Sequence, residues 1–257
     1  MTIYGDMDLS IIREKPKNRK PIKTYSKLDN KIEDIVRFIK KEISYGNQVF
    51  WVCPLIEESK KLDHASAIKK FEYLKKIFPN KVSLLHGKTK IEEKEEILNK
   101  FLNQEFNILV STTIIEVGID FPNANIIIIE NANKFGLSQL HQLRGRVGRG
   151  NKDSTCILLF KSNLSDNAKK RINILKSSND GFVISEEDMK IRGFGDILGF
   201  KQSGIKNFKL ADPIHNNDLF ILAENEMKRI EKSKENLKKF KPLMKLYDRA
   251  DIINDIA

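Results

Sequence analysis

The chain has 257 residues, of which 40% are hydrophobic and 32% charged, a globular composition long enough for one large domain plus an appendage. The formal net charge is +11, which favours a polyanionic partner, either nucleic acid or an anionic membrane surface. No apolar run approaches the ~18 residues that span a bilayer, and the start lacks the pattern of a signal peptide, so we expect a cytoplasmic, nucleic-acid-binding protein rather than a membrane protein.

Residues 1–24 are predicted to be the end of a preceding domain followed by a linker. The segment 1–14 has the pattern of a strand, and 15–21 carries two prolines and four cations. A helix is expected next, with Asp29 or Asn30 as its N-cap.

Residues 25–162 alternate between apolar strands and amphipathic helices. The strands are predicted at 48–55, 81–86, 106–110, 125–130 and 154–160. Their unbroken apolar runs indicate burial on both faces, so we predict a parallel sheet with helices on both sides. The helix after residue 88 shows capping-box spacing between Thr89 and Glu92. Because ligands of such sheets bind at the carboxyl ends of the strands, we expect the functional residues at that edge.

Residues 163–257 show a different pattern. Ser165 is predicted to cap a helix, 177–181 to form a turn, and Ser185 to begin a second helix, which together make a helical hairpin. A glycine-rich loop at 192–204 and a last, lysine-rich helix follow.

The segment Gln142–Gly150 places three arginines, Arg144, Arg146 and Arg149, among three glycines. Guanidinium groups suit phosphate oxygens, and glycine allows close approach of a backbone to a ligand. The ordered spacing therefore predicts a tight loop that presents arginines to a polyphosphate, in preference to a flexible basic surface loop.

The segment from Thr112 to Asp120 follows a predicted strand. Its hydroxyls could bind phosphates and Asp120 could accept a hydrogen bond from a ribose hydroxyl, although an ordinary loop with a helix cap would have the same composition. Beside the arginine loop, it becomes a candidate half of one nucleotide edge.

Other parts of a nucleotide hydrolase are missing from the sequence. It contains no G-x-x-x-x-G-K-[ST] loop, and no strand ends in paired carboxylates that would hold magnesium. Cys53 and Cys156 are predicted to be reduced core thiols, and no Cys/His spacing indicates a metal held by this chain alone. The arginines therefore indicate half of a site that is built between two domains.

Several motifs resemble those of a known family. The segment 142–149 resembles the sixth conserved motif of superfamily-two helicases, and 111–124 resembles their fifth. The segments 136–143 and 187–196 are similar to motifs shared by RecG and the transcription-repair coupling factor. Three segments favour RecG: 178–182, 51–59 and 208–212.

The resemblance implies the second RecA-like motor domain of a P-loop NTPase helicase at 25–162, followed by an α-helical hairpin, a translocation motif and a C-terminal helix. RecG-type proteins are ATP-dependent DNA helicases that remodel branched DNA, regressing forks and migrating Holliday junctions. ATP with Mg²⁺ would be bound mainly by a first motor domain, which together with a wedge domain would be supplied in cis or as a separate chain. This chain alone is expected to be inactive, because the triphosphate loop is absent.

The resemblance also implies roles for individual residues. Arg149 would be the arginine finger and Arg146 its companion, while Gln142, Gly118 and Asp120 would line the nucleotide. The DNA-binding or coupling residues would be Thr112, Thr113, Arg192 and Gln202. Phe194 and Phe200 depart from the proline and threonine usual in the translocation motif. Two alternatives stay open: a coupling-factor fragment, or a non-catalytic DNA-binding remnant of a truncated helicase gene.

Overall fold

A computed structural model of the chain describes residues 20–54, 60–112, 121–192 and 217–233. The chain divides into two compact units, one formed by Arg13–Gly193 and the other by Met1–Ile12 with Phe194–Ala257. The first unit contains a sheet and most of the helices, and the described part of the second is a single helix. None of the helices in these described ranges is long and apolar enough to cross a membrane.

Six parallel strands form the sheet of the first unit. They are β1 (Lys23–Leu28), β2 (Gln48–Val52), β3 (Val82–Leu85), β4 (Ile108–Ser111), β5 (Ala124–Ile129) and β6 (Thr155–Phe160). Their order across the sheet is β1-β6-β5-β2-β4-β3. The predicted parallel sheet is confirmed.

Helices cover both faces of this sheet, as the unbroken apolar strands predicted. They are α1 (Ile32–Ser44), α2 (Lys60–Ile77), α3 (Ile91–Leu102), α4 (Leu137–Arg144), α5 (Asp166–Ser177) and α6 (Gly181–Arg192). The helix of the second unit is α7 (Asn217–Ser233).

Alternate residues of the central strand β2 enter two separate hydrophobic cores. Val49 and Trp51 pack with α1 and α2 on one face. Phe50 and Val52 pack with α3, α4, α5 and α6 on the other. The hairpin α5–α6 thus belongs to the core of the second face, where Ile172 and Ile184 are buried.

Strand β1 was missed from the sequence. Tyr25 and Leu28 are its two apolar residues and neither is buried, and within the described residues it lies at the edge of the sheet, paired with β6. An edge strand needs no unbroken apolar run, so the pattern that identified the central strands does not apply to it.

Two predicted helix caps are wrong and one is confirmed, and α6 begins at Gly181 and not at Ser185 as predicted. Residues 29–31 form a 3-10 turn, and α1 begins after Lys31 without a side-chain cap. Thr89 does not cap α3, because its hydroxyl contacts the amide of His86 instead. Ser165 caps α5, accepting a hydrogen bond from the amide of Ala168 at 3.3 Å. The predicted strand at 1–14 lies outside the described residues.

Candidate functional site

The segment between α4 and β6, residues 145–154, carries Arg146 and Arg149 and is called the arginine loop. It lies at the amino edge of the sheet and not at the predicted carboxyl edge. It connects α4 to the start of β6, and every strand is parallel, so the loop stands where strands begin. Its neighbours agree with this position, because Gly148 lies against Ile22 just before β1, and Gly150 lies against Pro122 just before β5. The general rule for open α/β sheets failed here, because the arginines follow a helix that runs back across the sheet.

The three arginines of the motif point into different environments. Arg144 is the last residue of α4 and is only 2% exposed, whereas Arg146 is half-buried and Arg149 is exposed. The expectation that the loop presents all three to a ligand is therefore wrong for Arg144. Arg146 and Arg149 remain the candidate phosphate-binding pair.

Arg144 holds the C-terminal end of α5. One guanidinium nitrogen (Nη1) donates to the carbonyl of Leu175 at 2.5 Å and to that of Ser178 at 2.9 Å, and it lies 3.3 Å from Oγ1 of Thr24. The other terminal nitrogen is 3.1 Å from Nδ1 of His141. Burial lowers the pKa of this guanidinium from its ordinary value. The carbonyls at a helix end lack intrahelical donors, so this buried cation satisfies them and complements the helix dipole.

Two glycines of the loop serve internal packing. Gly148 has φ +76°, and a Cβ there would lie 3.2 Å from Cγ1 of Ile22. At Gly150 a Cβ would lie 2.6 Å from the carbonyl oxygen of Pro122, closer than atoms can approach. The sequence interpretation, in which glycine makes room for a ligand, thus needs correction: at these two positions glycine makes room for the protein itself.

The end of the loop is attached to the starts of β2 and β5. Nζ of Lys152 lies 3.2 Å from Oδ1 of Asn47, and Nδ2 of Asn125 donates to the same oxygen at 3.0 Å. Glu42 accepts a hydrogen bond from Asn47 at 2.7 Å. Because Asn47 and Asn125 are buried, this polar cluster fixes the backbone that follows Arg146 and Arg149.

Further polar contacts attach the helical hairpin to α4 and to the turn before it. Arg171 of α5 donates to the carbonyls of Phe135 and Asn133. Ser138 near the start of α4 donates to Asp188 of α6 at 2.5 Å. The arginine loop and α6 are thus connected through one short helix, and α6 ends at Arg192, where the predicted translocation motif continues.

Thr112 lies at the opposite, carboxyl edge, directly after β4. It is 2% exposed, and its hydroxyl has no hydrogen-bond partner. Thr112 and the arginine loop, which the sequence interpretation assigned to one nucleotide edge, therefore lie at opposite ends of the strands. Phe121, which directly follows Asp120 in the chain, lies before β5 at the amino edge and is buried there.

A partly buried ion pair stands at the same carboxyl edge. Nζ of Lys70 lies 2.7 Å from Oε1 of Glu130, with the ammonium 5.2 Å from the centre of the Trp51 ring. Sγ of Cys53 is 3.6 Å from Oε2 of Glu130. Burial raises the pKa of the Cys53 thiol most, and the negative charge of Glu130 raises it further. A thiol held neutral in this way packs as an apolar group and is unsuited to nucleophilic chemistry.

Several predicted site residues lie outside the described residues: Thr113, Gly118, Asp120 and Gln202. The backbone of Arg192 is described as the last residue of α6, without its side chain. Gln142 is exposed on α4, one turn before Arg146. No group of three or more His, Cys, Asp or Glu residues in the described ranges is arranged to hold a metal ion.

Two family models match the chain. The helicase conserved C-terminal domain matches residues 30–151, and "ATP-dependent DNA helicase RecG, domain 3, C-terminal" matches residues 178–247. The second match covers α6 and α7, so the RecG resemblance extends beyond the RecA-like region.

Curated relatives agree with these matches. The ATP-dependent DNA helicase RecG of Bacillus subtilis is 48% identical over 217 residues, which cover 84% of this chain and 32% of the relative. The protein of the same name from Escherichia coli O157:H7 is 47% identical over 214 residues, covering 82% and 31%. The chain thus spans about a third of the length of these relatives.

A solved structure of RecG bound to a three-way DNA junction has the same fold. It matches with a TM-score of 0.64 and 40% sequence identity, over 80% of this chain and 26% of that chain.

Proposed function

The chain belongs to the RecG helicase family and corresponds to its C-terminal part, and from this premise we propose that it is the second motor half of an ATP-dependent translocase that remodels branched DNA. The motor would act on forks and Holliday junctions in recombination and repair, in the cytoplasm. The match of residues 178–247 to a RecG domain disfavours the alternative that the chain is a fragment of a transcription-repair coupling factor.

One observation carries this proposal: Arg149 is exposed and Arg146 is half-buried on a loop whose neighbouring residues are fixed by several contacts. Arg149 would contact the γ-phosphate of ATP bound to a first motor domain, with Arg146 beside it. Preorganised cations stabilise the charge that spreads over the phosphoryl oxygens in the transition state, and they need little reorganisation when the domains close. Gln142, Gly118 and Asp120 would line the same nucleotide, with Mg²⁺ held mainly by the other domain.

The two edges of the sheet suggest how such a motor could be arranged. ATP would be approached from the amino edge, while Thr112 and Thr113 would lie on the DNA side at the carboxyl edge. The buried hydroxyl of Thr112 can reach a phosphate only if the residues that cover it move. Arg144 connects the loop to the hairpin, and Arg192 and Gln202 would then pass the movement to DNA.

The experiment is a chimera in which this chain replaces the matching region of the Bacillus subtilis relative. We expect DNA-stimulated ATP hydrolysis, and we expect Arg149→Ala to lower its kcat by about 10³ or more while DNA binding is retained, because the finger acts only in the transition state. Arg37→Ala removes an exposed arginine of α1 and is the matched control, with kcat unchanged.

Two results would contradict the proposal. Normal turnover of the Arg149→Ala chimera would remove the finger assignment. A chimera that binds DNA but never hydrolyses ATP would favour the DNA-binding remnant. The isolated 257-residue chain is expected to release no phosphate from ATP, because its sequence lacks the triphosphate loop.

A further inference from the structure

The chain enters β1 in direct contact with the arginine loop. We call residues 20–24 the entry segment. Nζ of Lys20 lies 2.9 Å from Oδ1 of Asp153, and Nζ of Lys23 lies 3.3 Å from Oδ2 of the same carboxylate. The amide of Lys23 donates to the carbonyl of Ser154 at 3.0 Å.

Two further contacts involve the loop and the helix before it. The buried side chain of Ile22 lies under Gly148, 3.2 Å from where a Cβ would stand, and Oγ1 of Thr24 is 3.3 Å from Nη1 of Arg144 at the end of α4. The entry segment therefore contacts the last residue of α4, the loop at Gly148 and the residues that follow Arg149. Arg149 lies between Gly148 and Asp153, which are both in contact with the entry segment.

The charges favour this arrangement at neutral pH. Hydrogen bonds from Lys20 and then from Lys23 hold the pKa of the Asp153 carboxyl below its usual range, so the carboxylate stays ionised. Both ion pairs are exposed, and each contributes little to global stability. Their consequence is local, because one carboxylate joined to two cations restricts the loop end that follows Arg149.

We propose that the entry segment is a positioning element for the arginine loop: Lys20 and Lys23 hold Asp153 and Ile22 supports Gly148, and together they set where the Arg149 guanidinium stands. The consequence for ATP hydrolysis rests on the proposed function. The entry segment overlaps the end of the linker predicted at 15–21, so a displacement of that linker would move Arg149 through these contacts.

The first test needs no ATP and uses the complete 257-residue chain. Asp153→Lys places like charges together, so we expect amides of residues 145–152 to exchange hydrogen about two- to five-fold faster in mass spectrometry, with Asp153→Asn showing a smaller change in the same direction. The triple variant K20D/K23D/D153K restores opposite charges and should restore the exchange rates.

The matched control places like charges at another exposed ion pair, Lys100–Glu96 on α3, whose Nζ–Oε1 distance is 2.6 Å. The variant Glu96→Lys should leave exchange at 145–152 unchanged. The proposal is overturned if Asp153→Lys does not change this exchange, or if the triple variant fails to restore it.

The second test uses the chimera. Asp153→Lys should lower kcat about two- to five-fold, with the KM for ATP and the affinity for DNA unchanged, and the triple variant should recover kcat. Faster exchange without any loss of kcat would refute a role in placing Arg149. A chimera whose turnover is insensitive to Arg149→Ala would instead refute the proposed function, and the exchange experiment would still decide the structural part.

Discussion

Replacement of Arg144 by methionine should destabilise the fold, whereas the same change at Arg149 should not. Methionine fills much of the space but donates no hydrogen bond, so the carbonyls of Leu175 and Ser178 lose the guanidinium that now lies 2.5 Å and 2.9 Å from them. Each buried carbonyl left without a donor costs ~1–3 kcal/mol. Methionine also removes the cost of burying a charge, which offsets part of this destabilisation. The free energy of unfolding should therefore fall by about 3 kcal/mol.

Unfolding can be followed by the fluorescence of Trp51, the single tryptophan of the chain. Trp51 belongs to β2, and its side chain is fully buried against α1 and α2. For a unit of this size, a loss of about 3 kcal/mol corresponds to a fall in Tm of roughly 6–12 °C. Arg149→Met, at an exposed position, should change the free energy of unfolding by less than about 0.5 kcal/mol. Equal stability of the two variants would refute the separation of the arginines into structural and ligand-facing groups.

Two other predictions concern the loop and the thiols. Gly150→Ala should cost about 1–3 kcal/mol in urea unfolding, because its Cβ would lie 2.6 Å from the Pro122 carbonyl oxygen. An unchanged free energy of unfolding would contradict the packing role of this glycine. Both cysteines are free and buried, and burial raises the pKa of Cys156 to about 12. Neither thiol should therefore react with a thiol reagent at about pH 8 until the protein unfolds. Fast reaction of either cysteine in the native protein would contradict this prediction. Since unfolded thiols ionise near pH ~8.5, stability should decline as the pH rises above that value.

The central strands and the helices of both faces could be predicted from sequence, because burial on two sides requires unbroken apolar runs. The four consecutive isoleucines of β5 illustrate this, since all are buried. Strand β1 could not be predicted in that way, because its stability comes from pairing with β6, which lies more than a hundred residues further along the chain. The predicted capping box at Thr89 is wrong for a local reason, because the hydroxyl of Thr89 accepts a hydrogen bond from the backbone amide of His86, three residues earlier.

The same distinction between local pattern and tertiary packing applies to the candidate site. The motif Gln142–Gly150 indicated the family and a candidate phosphate-binding loop, because residue type and spacing are local properties of the chain. Only the tertiary structure decided that Arg144 turns inward to hold α5, that two glycines accommodate neighbouring protein atoms, and that the loop stands at the amino edge. Those outcomes depend on Leu175, Pro122 and Ile22, whose positions beside the loop are fixed by how the strands assemble. Sequence by itself determined which residue types stand in the motif, and the packing of distant segments determined that Arg144 is buried while Arg149 is exposed.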